Sequence, residues 1–226
     1  KVFSISKKKS LIPILSSPIV KYVYLDITET DFENLPNFDY ILHCAGYGQP
    51  KKFTEDPIST IKINTEVLIK LSNKLNKSGT IIFMSTSEVY SGIKKKFPDE
   101  KDIGLSAPSH NRACYIESKK CGEIIINSLR MKGINAKSIR VSLVYGPGTK
   151  LDDNRVLNEF IVAAIFKNKI TMLDEGSDIR HYIFIDDAIK MIIKIMLYGN
   201  EEVYNLGGKE KVSILNLAKK IAMVTN

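Results

Sequence analysis

Tyr115 and Lys119, in the stretch Tyr-Ile-Glu-Ser-Lys, combine two residue types that can move a proton together. Their i, i+4 spacing places both side chains on one face of a helix. A tyrosine with a reference pKa of about 10 is a poor base at neutral pH. A neighbouring ammonium stabilises the phenolate and lowers that value, giving a group able to accept a hydroxyl proton. Taken alone the spacing is weak, because Tyr-x-x-x-Lys arises by chance on many surface helices. A second cluster stands upstream, Met84-Ser85-Thr86-Ser87-Glu88-Val89-Tyr90, with hydroxyls and a carboxylate at the C-terminal end of an expected strand. Ligand sites of open α/β sheets lie at that edge.

The elements that must position these groups are legible as pattern. Short β-branched apolar runs alternate with amphipathic stretches, as in a parallel sheet covered by helices. Strands are expected at Val2–Ser6, Val20–Leu25, Tyr40–Cys44, Thr80–Ser85, Ala136–Val141 and Val203–Leu206. Asp56-Pro57 starts a helix, with a carboxylate at the N-cap and proline at the first position. Apolar residues then recur at helical spacing from Ile58 to Leu75. Further helices are expected near Arg112–Met131, from Asp186-Asp187 to Leu197, and from Ser213. No Gly-x-Gly-x-x-Gly follows a strand: Gly46-Tyr47-Gly48-Gln49-Pro50 lacks the third glycine, and Tyr145-Gly146-Pro147-Gly148-Thr149-Lys150 is not a phosphate-binding loop. The sequence opens inside a strand and stops within a helix. It is therefore expected to be a piece of a longer chain, beginning after a pyrophosphate-binding turn.

The bulk properties narrow the class. A chain of 226 residues can form one α/β domain with a small appendage. No apolar run approaches the roughly 20 residues needed to span a bilayer, so no membrane association is expected. Lys1-Val2-Phe3-Ser4-Ile5-Ser6 reads as a strand, not a secretion signal. Cys44, Cys114 and Cys121 show no CxxC spacing, which argues against disulfides and structural zinc and for a reducing, cytoplasmic location. His43, His110 and His181 lack metal-ligand spacing, so no metal is expected, and His43 reads as a strand-end packing residue. Cys114 has no histidine partner for nucleophilic work. The net charge of +8 rests partly on Lys7-Lys8-Lys9 and Lys94-Lys95-Lys96. These runs are short and free of aromatics, so they read as solvated loops and not as a nucleic-acid interface. A positive field also suits an anionic substrate.

In combination the motifs resemble the extended short-chain dehydrogenase/reductase family of nucleotide-sugar epimerases, dehydratases and decarboxylases. The resemblance runs along essentially the whole chain. It rests on His43-Cys44-Ala45-Gly46, Ser85 to Tyr90, the Tyr115/Lys119 helix and Arg140-Val141-Ser142-Leu143-Val144-Tyr145-Gly146-Pro147-Gly148. Arg180 ahead of Phe184-Ile185-Asp186-Asp187, and Tyr204-Asn205-Leu206-Gly207, complete it. It implies an α/β fold, a Rossmann-like parallel sheet flanked by helices with a small substrate-binding lobe, the first strand and glycine turn missing here. The implied division is a cofactor-binding domain over 1–145 and a substrate lobe over 146–226 that returns segments to the main sheet. A homodimer, a nucleotide-sugar substrate and a bound NAD are implied as well. Lys7 to Lys9 would also suit the 2′-phosphate of NADP, but an enzyme that recycles its own hydride favours NAD. The implied cofactor-binding residues are Asp26, Ala45, Gly46, Asn64, Ser85, Tyr115, Lys119 and Tyr145.

Three stretches bring the UDP-glucuronate decarboxylase branch nearest: Pro57 to Thr65, Ser85 to Tyr90 with Arg112-Ala113-Cys114-Tyr115, and Asn154-Arg155-Val156 with Phe160-Ile161. The implied roles follow. Tyr115 takes the proton of the sugar 4-hydroxyl, Lys119 lowers the tyrosine pKa and holds the cofactor ribose, and Thr86 bonds the reacting oxygen. Ser87 and Glu88 handle protons at C5, while Glu88, Arg155 and Arg180 contact substrate. Dehydratases carry an aspartic acid where Ser87 stands, so decarboxylation is favoured over dehydration. Leu143 stands where the family has asparagine, and Gly148 where the decarboxylases have arginine. A nucleotide-sugar 4,6-dehydratase or 4-epimerase therefore stays open as an alternative, as does a non-catalytic nucleotide-binding member.

Overall fold

The computed structural model describes residues 1–8 and 17–225, so Lys9 of the first lysine run lies outside the described residues. In chain order it opens with β1 (Val2–Ser6), β2 (Val20–Tyr24) and β3 (Phe38–His43). Three short helices follow, α1 (Pro50–Glu55), α2 (Pro57–Asn64) and α3 (Glu66–Ser72). Then come β4 (Leu75–Thr86), a 3-10 turn over Ser87–Tyr90, α4 (Ala113–Met131) and β5 (Asn135–Val141). Beyond it lie β6 (Leu143–Tyr145), α5 (Val156–Lys167), β7 (Ile179–Phe184) and α6 (Ile185–Tyr198). The chain finishes through β8 (Val203–Leu206), β9 (Lys211–Ser213) and α7 (Ile214–Thr225). Two compact units result, 1–140 with 198–204, and 141–197 with 205–226.

In the first unit β1 and β2 pair in parallel, and β3 pairs in parallel with β4 in a sheet of order β3-β4-β5-β8. The core forms where Ile41, Ile81 and Phe83 of this sheet meet Val67, Leu68 and Leu71 of α3 and Ile126 of α4. Each such fully buried side chain contributes roughly 1.5–3 kcal/mol. His43 ends β3 at 3% exposure, donates from Nε2 to the Ile63 carbonyl at 2.9 Å and stacks on Phe83. Burial pushes its pKa down to about 4, the carbonyl bond opposing. It is the packing residue its position suggested.

The stretch expected as one helix from Ile58 to Leu75 is two helices and the start of a strand. Thr65 breaks it, at φ −122° and ψ −80°, with its hydroxyl donating to the Ile61 carbonyl at 2.8 Å. A hydroxyl bonded to the carbonyl four residues back competes with the helical ladder and bends it. Leu75 already belongs to β4, where it faces Phe38. The register then shifts between Phe38 and Tyr40, beside Gly79, where an added Cβ would lie 2.9 Å from the Asp39 carbonyl. A bulge there needs a residue without a side chain. Helix α1 and strands β6, β7 and β9 were not expected; β6 and β9 have three residues each, too few for a periodic signal.

In the second unit β6 runs parallel to β7, and β7 antiparallel to β9. Phe160 and Ala164 of α5 pack on Leu217, Ala218 and Ile221 of α7, each set at helical spacing. Among the described residues no helix is long and apolar enough to cross a membrane.

One glycine decides how near α4 comes to the sheet. A Cβ at Gly122 would stand 2.4 Å from the Phe83 ring and 3.0 Å from the Asn64 carbonyl. Gly122→Ala is expected to destabilise the protein by about 1–3 kcal/mol, the range for overpacking a filled site. Urea unfolding checks this, and an unchanged midpoint contradicts the close approach.

Candidate active site

Tyr115 and Lys119 do share a face of α4, beside the end of β4. Lys119 is 6% exposed. Its Nζ donates to the Met84 carbonyl at 2.7 Å, lies 4.7 Å from the centre of the Phe83 ring and 5.9 Å from that of Tyr115. Burial pushes the ammonium down to about 8, with Cys44 and Glu123 pulling the other way. An amine with that value is charged at neutral pH yet close to giving up its proton. Asn64 sits where α2 crosses this face: its Nδ2 donates to Ser118 Oγ at 2.9 Å and to the Thr60 carbonyl. Ser118 in turn donates to the Tyr115 carbonyl. The residue expected at the cofactor thus ties α2 to α4 between Tyr115 and Lys119, and its Oδ1 is buried without a hydrogen-bond partner.

The end of β4 supplies the second group. Thr86 Oγ1 caps the 3-10 turn by accepting from the Glu88 N–H at 3.2 Å. That turn leaves Ser87 exposed and Glu88 half-buried, and Glu88 Oε1 forms an ion pair with Arg112 Nη2. Burial pushes the Glu88 carboxyl above the usual range, while Arg112 and His110 pull it down. The Tyr115 ring stacks on Phe53 of α1, centroids 4.6 Å apart and planes within 7°. Phe53 is 1% exposed and carries the Arg112 guanidinium 5.5 Å from its ring centre.

Ser85, expected at the cofactor, also joins a buried network. Its hydroxyl donates to Glu123 Oε1 at 2.5 Å. Arg140 grips Glu123 through Nε at 3.0 Å and Nη2 at 2.7 Å. Its Nη1 reaches the Tyr90 hydroxyl and the carbonyls of Glu100 and Asp102. Such a paired, fully bonded charge cluster joins α4, β5 and the ends of β4. Arg112, Phe53, Glu123 and Arg140 had no site role in the sequence reading. For Glu123 a signal existed: Tyr115, Lys119 and Glu123 follow one another at intervals of four.

The remaining candidates divide by unit. Ala45 and Gly46 follow β3, and a Cβ at Gly46 would lie 3.9 Å from Lys119 Nζ. Asp26 accepts from the Thr28 N–H and hydroxyl and pairs with Lys7 at 2.5 Å, contacts that hold its carboxyl well below the usual range. In the second unit the exposed Tyr145 meets Phe184 edge-on at 5.5 Å. Arg155 forks onto the buried Asp153, and the exposed Arg180 pairs with Asp178 at 2.9 Å. The first unit therefore gathers Gly46, Asn64, Thr86, Glu88, Tyr115 and Lys119 around α4 and the sheet edge. An ammonium has three donors. The protein takes one, at Met84, and the spare donors beside a residue without a side chain fit the hydroxyls of a nucleotide ribose.

The family model described as NAD dependent epimerase/dehydratase family matches residues 2–207. UDP-glucuronic acid decarboxylase 1 of Arabidopsis thaliana is 27% identical over 224 residues, which are 98% of this chain and 51% of the relative. The chain thus spans about half the length of the relatives it matches. An epimerase of the methanogen Methanothermobacter thermautotrophicus superposes with a TM-score of 0.83 at 20% identity, over 99% of this chain and 69% of that one. The Bordetella bronchiseptica enzyme WbmF, solved in complex with NAD+, superposes with a TM-score of 0.79 at 21% identity, over 100% and 70%.

The buried ammonium has a signature in stability. Between about pH 8 and the ordinary lysine value of 10.5 the unfolded chain holds a proton that the folded chain has released. Stability contributed at this site therefore rises with pH across that window, and the cost of burial is fully present below it. The difference in unfolding free energy between wild type and Lys119→Met is expected to move in favour of wild type from pH 8 to 10.5, at about 1.4 kcal/mol per pH unit at most. Urea titrations at several pH values check this; a difference independent of pH contradicts it.

Proposed function

Because the chain belongs to the NAD-dependent epimerase/dehydratase family, we propose that the protein oxidises a nucleotide sugar at C4 and then decarboxylates it, as a UDP-glucuronate decarboxylase does. The observation that carries this reading is the half-buried Glu88, held by Arg112 on the same unit as the Tyr115/Lys119 couple. A simple oxidation or epimerisation at C4 needs one acid/base. A reaction that continues at C5 needs a second.

NAD, when bound, would accept the C4 hydride and give it back to C4 in the final step, and the spare donors of Lys119 and the open position at Gly46 would hold its ribose. Tyr115 takes the 4-hydroxyl proton as C4 becomes a ketone, its phenolate stabilised by the neighbouring ammonium. Thr86 donates to the reacting oxygen. The ketone lets the C5–C6 bond break, releasing carbon dioxide and leaving its electron pair on the enolate. Glu88, with the Ser87 hydroxyl beside it, relays to C5 the proton that decarboxylation consumes and that solvent supplies. Tyr115 then returns its proton to the C4 oxygen. Arg155 and Arg180, planar forks suited to carboxylate or phosphate, serve the anionic substrate. Leu143 and Gly148 favour one second reading, a 4,6-dehydratase or 4-epimerase acting on another nucleotide sugar.

The full-length protein incubated with NAD and UDP-glucuronate is expected to yield UDP-xylose and carbon dioxide. Glu88→Gln is expected to keep forming the 4-keto sugar while decarboxylated product falls about 100-fold or more, and Tyr115→Phe to lose both. Wild-type protein that makes neither UDP-xylose nor a 4-keto sugar overturns the decarboxylase reading.

A further inference from the structure

We infer that Arg112 is a positioning residue whose guanidinium, clamped between the Phe53 ring and the Glu88 carboxylate, sets Glu88 in a fixed relation to Tyr115. The inference rests on the reading that Glu88 handles protons in the reaction.

Arg112 stands at the N-cap of the 19-residue helix α4 and makes no side-chain capping bond there. The position favours Ser, Thr, Asp or Asn, whose oxygen would satisfy a free N–H of the first turn. It also disfavours a cation, since the helix dipole is positive at that end. An arginine at this place breaks two local rules at once, and such exceptions concentrate where a side chain has another task. Its contacts name the task. Nη2 pairs with Glu88 Oε1, across 24 residues of sequence, and leaves Oε2 outside the pair. The guanidinium lies 5.5 Å from the centre of Phe53, which stacks at 4.6 Å on Tyr115. Glu88, Arg112, Phe53 and Tyr115 thus form an unbroken series of contacts from one proton-handling group to the other. Phe53 is buried on α1, so the series has a rigid centre. Meanwhile Arg112 Nε is buried with no hydrogen-bond partner, an arrangement that costs stability. Packing alone gives no reason for that cost; orienting the fork toward Glu88 does.

The charge matters as well as the geometry. Among the described residues, Arg112 and His110 are the charged or titratable groups that act on Glu88, and both oppose the effect of its burial. Without the guanidinium, Glu88 is left to a half-buried site that favours its neutral form. A lysine would restore charge but not the planar fork.

The test uses full-length protein with NAD, as wild type, Arg112→Gln and Arg112→Lys. Carboxyl carbon NMR, with Glu88 assigned through Glu88→Gln, gives its titration midpoint, and steady-state assays with UDP-glucuronate give kcat and KM. In Arg112→Gln the midpoint is expected to rise by about one pH unit or more. Its kcat is expected to fall about 10-fold or more with KM within about threefold and 4-keto sugar accumulating. Arg112→Lys is expected to restore the midpoint but only part of kcat. A wild-type midpoint in Arg112→Gln, or a raised KM at unchanged kcat, overturns the inference. If wild type makes no product from UDP-glucuronate, the proposed reaction has failed, and the NMR midpoint alone still decides whether Arg112 governs Glu88. If Arg112→Gln does not fold by near-UV circular dichroism, Arg112→Lys decides: a kcat loss of about threefold or more at constant KM supports the clamp, and wild-type kcat removes it.

Discussion

An ammonium taken out of water is costly unless dipoles of the protein replace the lost hydration. Lys119 is in that situation, and the first unit is arranged around it. The Met84 carbonyl at the end of β4 takes one of its protons, and the Phe83 ring lies under it as a cation–π partner. Both contacts require α4 to lie unusually near the sheet. Gly122, nearly one turn along, permits the approach by leaving room for Phe83 and for the Asn64 carbonyl. The Asn64–Ser118 bond then fixes α2 against the same stretch of helix. A lysine held this way is partly desolvated, so its charge acts strongly on whatever stands beside it. What stands beside it is Tyr115.

The same helix carries a second buried charge, Glu123, whose role is structural. Its pairing with Arg140 satisfies both side chains, and the extra arms of Arg140 hold Tyr90 and the carbonyls of Glu100 and Asp102. Removing one member of such a pair is costly because the other is left buried and alone, by about 3–5 kcal/mol. The network anchors the segment that follows Glu88. Together with Arg112 and Phe53 on the other side, it restricts where the Glu88 carboxyl can go. One helix thus carries a stripe, Tyr115, Lys119 and Glu123, that runs from the candidate acid/base couple to a structural anchor within about two turns.

The parts of this arrangement that follow from local rules were legible in the sequence. Strands β1 and β8 have the expected bounds, α4 begins one residue after its expected start, and the Tyr115/Lys119 spacing puts both residues on one face. The parts that depend on tertiary contact were not. Nothing local says that Thr65 would interrupt a helix whose apolar pattern continues through it. Nor does anything local say that the Ser85 hydroxyl would reach Glu123, which comes from another element. Arg112 was visible only as part of a motif; its partner lies 24 residues upstream and its stacking surface further still. Asp26 gave a candidate cofactor carboxylate, and its pairing with Lys7 follows from how β1 and β2 align in space, not from either residue alone.

In the proposed reaction the buried Lys119 charge is what makes Tyr115 a usable acid/base. Lys119 Nζ lies 5.9 Å from the centre of the Tyr115 ring, where an ammonium that keeps its proton favours the phenolate. The most direct measurement is the titration of Tyr115 in the full-length protein, followed through a carbon-13 label on the tyrosine ring carbon that bears the hydroxyl. The phenol is expected to ionise at lower pH in wild type than in Lys119→Met. Ionisation at the same pH in both, or at higher pH in wild type, would contradict it.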